Sequence, residues 1–179
     1  VGAAITQQSG WLRRHADHIR RAVVLEPRGH VDMRAAQLTD PHTPGAHAAI
    51  VFMDAGGYPA MSGHGIIAAA TIAIERALFY SRDALEGDVR LAFETAAGVV
   101  QVRARVEDRG GKTRVDSVAV TNVPAFVFGA GQPVKLDGRD LRVDVAFGGV
   151  FYAIVDTEAV GIPLNASRLA DFRRLAIGL

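Results

Sequence analysis

The chain has 179 residues, of which 49% are hydrophobic and 22% charged, with a formal net charge of +1 and no cysteine. This composition is typical of a globular protein with a sizeable core and argues against a disordered chain. Scattered basic residues argue against a nucleic-acid surface, and the longest apolar run, residues 65–74, is too short to cross a bilayer. No secretory signal opens the sequence, so we expect a cytoplasmic protein that binds neither nucleic acid nor membrane.

The first predicted element is an amphipathic surface helix over residues 9–24, with Ser9 as its cap. Its apolar residues recur at helical spacing and should pack on the protein, while its arginines should face water. The apolar set is Trp11, Leu12, Ile19 and Val23, and the arginine set is Arg13, Arg14, Arg20 and Arg21. Two short strands are predicted next, at residues 33–38 and 48–53.

Residues 66–78 predict a helix that is apolar on nearly every side. Only Thr71, Glu75 and Arg76 interrupt its run of isoleucine, alanine and leucine. Such a helix should be covered almost all round, and a sheet wrapped about it is an economical way to do so. Charge appears only in its last turn, so its N-terminus is expected to be the end that faces a cleft.

The remainder of the chain is rich in predicted strands. Alternation is clearest in VVQVRARVE, where Val100, Val102, Ala104 and Val106 should share one buried face. The links DRGGK, AGQP and LDGRD are short and turn-rich, which favours antiparallel neighbours over parallel crossovers. A last helix is predicted over residues 166–177, and the fold class is therefore α+β. The strands are predicted at residues 89–94, 99–107, 117–123, 126–129, 141–145 and 151–155.

The mouth of the apolar helix reads Ser62-Gly63-His64-Gly65. A helix N-terminus presents unpaired N–H groups and a partial positive charge, which attract carboxylate or phosphate. The two glycines allow close approach of a ligand, and the imidazole of His64 can exchange a proton near neutral pH. The same four residues also fit a serine cap followed by a packing histidine, and local sequence leaves both interpretations open.

Five sequence blocks in a fixed order resemble the proline racemase family, which includes 4-hydroxyproline epimerases and trans-3-hydroxyproline dehydratases. Together they cover most of residues 25–156, so the resemblance is far more specific than any one motif. The blocks are LEPRGHVDM (25–33), TPGAHAAIVFMDAGGYPAMSGHGIIAAA (43–70), ETAAGVVQVR (94–103), TNVPAFV (121–127) and DVAFGGVFYAIVD (144–156).

The resemblance implies a fold like that of diaminopimelate epimerase, an antiparallel strand barrel wrapped around a central hydrophobic helix in each half. It divides the chain into residues 1–130, a first domain lacking its opening strand, and residues 131–179, the truncated start of a second. In the family a substrate carboxylate binds the helix-mouth N–H groups, one acid/base residue comes from each half, and neither pyridoxal nor metal takes part. The matching residues are Ser62 as the catalytic residue, with Gly63 and His64 binding substrate.

Three departures from the family pattern matter. Ser62 replaces the usual cysteine, and a serine alkoxide is far less accessible near neutral pH than a thiolate with a pKa of about 8.5. Arg34 replaces a residue that is commonly aromatic; it would either bind an extra polar group of the substrate or point to solvent. The second acid/base residue is missing, so this stretch alone is expected to be inactive.

The resulting hypothesis is a cofactor-independent epimerase or dehydratase acting at the α-carbon of hydroxyproline. The alternative is an inactive homologue that binds a small amino acid or carboxylate. An isomerase of the phenazine-biosynthesis type would share the fold, but the EPRGH and DVAFGG blocks argue against it. Family members are often homodimers, although nothing in the sequence marks an interface.

Overall fold

The structure is a computed structural model of the chain that describes residues 5–79 and 87–179. The chain divides into two compact units, Val1–Val123 and Pro124–Leu179. The α+β class predicted from the sequence is confirmed. The first unit contains α1 (Ile5–His15), α2 (Asp17–Val24), β1 (Arg34–Thr39), β2 (Ala48–Asp54), α3 (Gly63–Glu75), β3 (Gly87–Thr95), β4 (Gly98–Asp108) and β5 (Thr113–Thr121). The second contains β6 (Phe126–Leu136), β7 (Arg139–Phe147), β8 (Phe151–Ile154), α4 (Thr157–Val160), a 3₁₀ turn (Ala166–Arg168) and α5 (Leu169–Gly178).

The first unit is built on a five-stranded sheet in the order β1-β2-β3-β4-β5. Adjacent strands of the sheet run antiparallel, as predicted, except that β2 runs parallel to β3 over Ala48 and Ala49. That exception arises because α3 lies between these two strands in the chain, and a parallel pair needs such a crossover. The alternation predicted for β4 is confirmed, since Val100, Val102, Ala104 and Val106 are each at most 5% exposed.

Strand β2 is the centre of the packing in this unit. Its residues from Ala48 to Met53 are all buried. On one face, Ala49 and Val51 form a cluster with Ile5 of α1. On the other, the ring of Phe52 lies against Gly65 of α3. The sheet is therefore covered by a helix on each side of β2.

Helix α3 begins at Gly63, three residues earlier than predicted, because Ser62 caps it. The expectation that it is covered almost all round needs correction: Ile67 and Ile72 remain 43% and 55% exposed. In the described part of the chain it packs against β1, β4 and β5, besides the contact of Gly65 with Phe52 of β2. These strands bury the stripe that contains Ile66 and Ile74 and leave the opposite stripe open. None of the described helices is both long and apolar enough to cross a membrane.

The N-terminal helix differs most from its prediction. It begins at Ile5 and breaks at Ala16, whose φ of −136° is not helical, so two helices replace one. Ser9 lies inside α1 and donates its hydroxyl to the carbonyl of Ile5. The break changes the phase of the buried face. As a result Ile19 and Val23, predicted to pack, are 46% and 44% exposed, while Arg20, predicted to face water, is 9% exposed. Trp11, which precedes the break, is 55% exposed because α1 packs on β2 through Ile5 and Leu12.

The second unit is an antiparallel sheet in the order β6-β7-β8. The predicted LDGRD turn is present, with Asp137 and Gly138 both at positive φ. The predicted AGQP turn is wrong, because β6 continues through it and absorbs the glycines as register shifts against β7. A small core joins Leu136 and Leu141 to Val160 of α4.

The contact between Gly65 and Phe52 yields a stability test with a neighbouring control. A Cβ on Gly65 would lie 2.9 Å from the Phe52 ring and 3.1 Å from Ser62 Oγ, whereas one on Gly63 would meet nothing within 4 Å. We expect Gly65→Ala to lower the free energy of unfolding by about 1–3 kcal/mol through overpacking. Gly63→Ala should change it by less than about 1 kcal/mol, the scale of helix propensity. Urea denaturation of both variants measures this; equal effects would contradict the packing assignment.

Glu94 ties the loop between β1 and β2 to strand β3. The side chain is buried, and its Oε2 accepts the backbone N–H groups of His42 and Thr43 at 2.6 and 2.8 Å. Burial alone would raise the pKa of Glu94, but the hydrogen bonds from the backbone of Thr43 and His42 and from the Thr43 side chain together bring the pKa below its ordinary value of 4.5. A depressed pKa means that the carboxylate stabilises the fold above the unfolded-state pKa and loses this contribution as the pH falls below it.

We therefore expect Glu94→Gln to lower the free energy of unfolding at pH 7 by about 1.5–3 kcal/mol, the range for hydrogen bonds to a charged acceptor. The difference from the parent should shrink as the pH falls below the ordinary pKa of a glutamate, because the parent then loses the contribution of its ionised carboxylate. Glu107→Gln is the control, because the carboxylate of Glu107 is exposed and pairs with Arg109 on the surface. Thermal unfolding at several pH values measures both; a difference independent of pH would contradict the assignment.

Candidate functional site

The mouth of α3 is built by Ser62, which is 6% exposed and has an extended backbone. Its Oγ accepts the N–H of Gly65 at 3.3 Å, and its carbonyl accepts the N–H of Ile66 at 3.0 Å. This is the geometry of a serine N-cap. A hydroxyl that accepts one hydrogen bond still has its own proton to donate, so capping and proton donation are compatible at this atom.

The cap leaves two backbone N–H groups open, those of Gly63 and His64. Neither has a hydrogen-bond partner within residues 5–79 and 87–179, and both residues are exposed. Because Gly63 has no side chain and a Cβ there would face empty space, a ligand can reach these donors directly. Two open N–H groups at the positive end of a 13-residue helix form a suitable cradle for a carboxylate.

The imidazole of His64 stands in the first turn of α3, beside these N–H groups. It is exposed and makes no hydrogen bond to any other described residue. A free imidazole at this position can donate to or accept from a bound ligand. The predicted trio of Ser62, Gly63 and His64 is thus adjacent at one helix end, with the serine buried and the other two open.

Arg34 is placed elsewhere, at the start of β1 and opposite Asp54 at the end of β2. Its guanidinium lies 3.6 Å from Asp54 Oδ2, and its side chain is 43% exposed. The other oxygen of Asp54 accepts the N–H groups of Gly56 and Gly57 at 2.9 Å each. Arg34 therefore touches the turn that leads towards Ser62, and its pairing with Asp54 was not foreseen from the sequence.

A second arginine at this turn, Arg20, was missed by sequence reasoning. It donates to both oxygens of Asp17 and to the carbonyls of Asp54 and Ala55. The hydrogen bond from Arg20 lowers the pKa of Asp17, and burial raises the pKa of the neighbouring Tyr58. The available signal was the spacing of Ala16, Arg20 and Val24, which marks one helix face once the break at Ala16 is known.

The described residues do not form a cluster of three or more His, Asp or Glu side chains of the kind that could hold a metal ion. What the helix mouth offers is different: a cradle of N–H groups, one hydroxyl and one imidazole. This arrangement can bind a small carboxylate and place polar hydrogens beside it.

Comparison with known proteins bears directly on this site. Proline racemase A of Trypanosoma cruzi (strain CL Brener) is 39% identical over 171 residues, covering 94% of this chain and 40% of that protein. The trans-3-hydroxy-L-proline dehydratase of Bacillus cereus is 32% identical over 169 residues, covering 94% and 48%. The crystal structure of a hydroxyproline epimerase from Agrobacterium vitis, with bound trans-4-hydroxy-L-proline, matches with a TM-score of 0.81 at 30% identity, covering 94% and 48%.

The chain spans about half the length of the curated relatives it matches. The solved structure agrees with the fold described above, and the resemblance carried by the five sequence blocks is confirmed. A family model described as proline racemase matches residues 1–178, which is nearly the entire chain. The chain therefore belongs to the proline racemase family.

Proposed function

We propose that the complete protein carrying this chain is a cofactor-independent enzyme that acts at the α-carbon of hydroxyproline. The reaction is either epimerisation of 4-hydroxyproline or dehydration of trans-3-hydroxyproline. Relatives of this chain are named for racemisation and for dehydration, and a structural relative binds trans-4-hydroxy-L-proline. We place this activity in the cytoplasm and expect a homodimer, which sedimentation analysis of the complete protein would test.

The observation that carries the proposal is the pair of open N–H groups at Gly63 and His64. Removing a proton from an α-carbon is difficult because the negative charge that develops spreads into the neighbouring carboxylate. Donors already aimed at that carboxylate stabilise the charge as it grows, without any reorganisation. The helix dipole adds to the same effect. In this proposal the imidazole of His64 faces the substrate nitrogen.

Ser62 sets the limits of the chemistry. A thiolate can remove an α-proton near neutral pH, but a serine hydroxyl serves better as a donor or relay. We therefore assign the main base to a residue that lies outside these 179 residues. Ser62 then donates its proton, while Gly65 continues to be capped by its lone pair.

This division favours dehydration, although it also permits epimerisation. In dehydration one base removes the α-proton, a double bond forms between the α- and β-carbons, and the C–O bond to the 3-hydroxyl breaks. The hydroxyl leaves as water once it takes up a proton, so no proton has to return to the opposite face. Epimerisation needs that returning proton, which Ser62 could supply only if a neighbour restores it.

The direct test incubates the complete protein in deuterated water with proline, 4-hydroxyproline and trans-3-hydroxyproline in turn. Epimerisation would place deuterium on the α-carbon of 4-hydroxyproline, which NMR detects. Dehydration would release water from trans-3-hydroxyproline and give an unsaturated ring, which mass spectrometry detects. Absence of both reactions with all three substrates would refute the proposal.

Substitution of Ser62 separates its two roles. If Ser62 moves a proton, Ser62→Ala should lower kcat by about 10²–10⁴-fold, the usual contribution of a positioned acid or base. If it only caps α3, the variant should lose about 1 kcal/mol of stability and keep its turnover. Steady-state kinetics well below the unfolding temperature, together with thermal unfolding, distinguish these outcomes. Ser62→Cys is the companion variant, and it should retain or raise α-proton exchange.

Substitution of Arg34 tests whether it recognises the ring hydroxyl. Because its contact with Asp54 is 3.6 Å long and its side chain is half-exposed, Arg34 retains donors for a ligand. We expect Arg34→Gln to lower kcat/KM for hydroxyproline relative to proline by about tenfold, the scale of one lost polar contact. Comparing the two substrates in one assay measures this. An equal loss for both would mean that Arg34 only supports the turn through Asp54.

One observation favours the alternative of an inactive binding protein. Residue 62 is a serine where the family commonly has a cysteine, and its hydroxyl ionises far less readily than a thiol near neutral pH. The same helix mouth would then bind hydroxyproline without turnover. Calorimetric binding of trans-4-hydroxy-L-proline to the complete protein, with neither deuterium exchange nor dehydration, would establish this alternative in place of the enzyme.

A further inference from the structure

Among the described residues of the first unit, Arg20 is the arginine that is buried. It lies on α2 at 9% exposure, whereas the adjacent Arg21 is exposed. Burying a guanidinium is costly unless its charge and donors are satisfied. Asp17, one turn earlier on the same helix, satisfies two donors at 2.7 and 2.9 Å. The remaining donors of Arg20 are thereby held in a fixed orientation.

Those donors bind the backbone of another part of the chain. Nη1 of Arg20 donates to the carbonyl of Asp54 at 2.7 Å and to the carbonyl of Ala55 at 2.9 Å. Because one nitrogen donates to two consecutive carbonyls, it fixes the direction in which the chain leaves β2. A planar guanidinium can bridge Asp17 and both carbonyls at once, which the point charge of a lysine cannot reproduce.

The segment bound by Arg20 is a turn that is held by its own hydrogen bonds. Asp54 exchanges backbone hydrogen bonds with Gly57, and its carboxylate accepts the N–H groups of Gly56 and Gly57. The ring of Tyr58 then lies under two guanidinium groups, with the central carbons of Arg13 and Arg20 at 5.8 and 5.9 Å from its centroid. The turn from Asp54 to Tyr58 is thus anchored as one piece.

This turn leads directly into the helix mouth. Only Pro59, Ala60 and Met61 separate Tyr58 from Ser62, and Met61 is buried. Proline restricts the backbone, and a buried methionine prevents the link from swinging freely. A displacement of the turn is therefore passed to the cap and to the two open N–H groups that follow it.

We propose that Arg20 is a positioning residue for the carboxylate cradle at Gly63 and His64. In this role Arg20 does not contact the substrate. It binds the carbonyls of Asp54 and Ala55 and so fixes the turn that precedes Gly63 and His64. The inference rests on the proposed function for its kinetic part. Its structural part concerns only contacts within the first unit.

The experiment uses the complete protein with Arg20→Lys and Arg20→Gln, and Arg21→Gln as the control. Hydrogen–deuterium exchange read by mass spectrometry should show faster exchange in residues 54–66 for both Arg20 variants. Exchange in residues 98–121 should match the parent, and the control should match it throughout. Lysine keeps the positive charge beside Asp17 but lacks the planar guanidinium. Faster exchange in Arg20→Lys therefore shows that the guanidinium geometry is needed, not the charge alone.

Kinetics give the second readout, taken well below the unfolding temperature of each variant. We expect kcat/KM to fall on the order of 10- to 100-fold in Arg20→Lys, the scale of a small misplacement of binding groups. An unchanged kcat/KM in an active protein, or faster exchange spread over all of the first unit, would overturn the positioning role. If the parent turns over no substrate, the proposed function fails and the exchange pattern alone decides the role of Arg20.

Discussion

The close contact between Gly65 and Phe52 is the constraint on which the first unit depends. Strand β2 is buried on both faces, so a helix must close onto each side of it. On the α3 side this requires a helix with small residues, and the buried stripe of α3 supplies Gly65, Ala69, Ala70 and Ala73. Because the contact falls at the first turn of α3, it also fixes where the helix mouth lies. The packing contact and the open N–H groups of Gly63 and His64 therefore share one end of one helix.

How much of this could be predicted depends on whether the controlling interactions are local. The alternation in β4 and the turn at Asp137-Gly138 were predicted correctly, because a two-residue period and a hairpin turn are written in neighbouring residues. The face of α2 was predicted wrongly, whereas in α1 Leu12 packs as predicted and only Trp11 does not. A break at Ala16 rotates every later side chain, and an alanine carries no local signal for it. The burial of Arg20 was missed as well, because the two carbonyls that it binds lie 34 and 35 residues away in the sequence.

The candidate site shows the same division. A cap followed by glycines can be read from the sequence, because N-cap chemistry involves residues within one turn. The pairing of Arg34 with Asp54 could not, because it requires the register between β1 and β2. Whether Ser62 donates a proton in addition to capping α3 is also beyond sequence reasoning. Both roles use the same oxygen, one through its lone pair and the other through its proton.

The two glycines at the helix mouth, Gly63 and Gly65, are two residues apart and project to opposite sides of α3. One borders open space and the other presses on Phe52, so they are required for different reasons. Selection should therefore treat them independently over evolutionary time. A side chain at Gly63 would change only access to the open N–H groups, whereas one at Gly65 would disturb the packing of α3 on β2. Substitutions at Gly63 or at Gly65 in other members of this lineage would therefore show whether access to the helix mouth or packing on Phe52 had been relaxed.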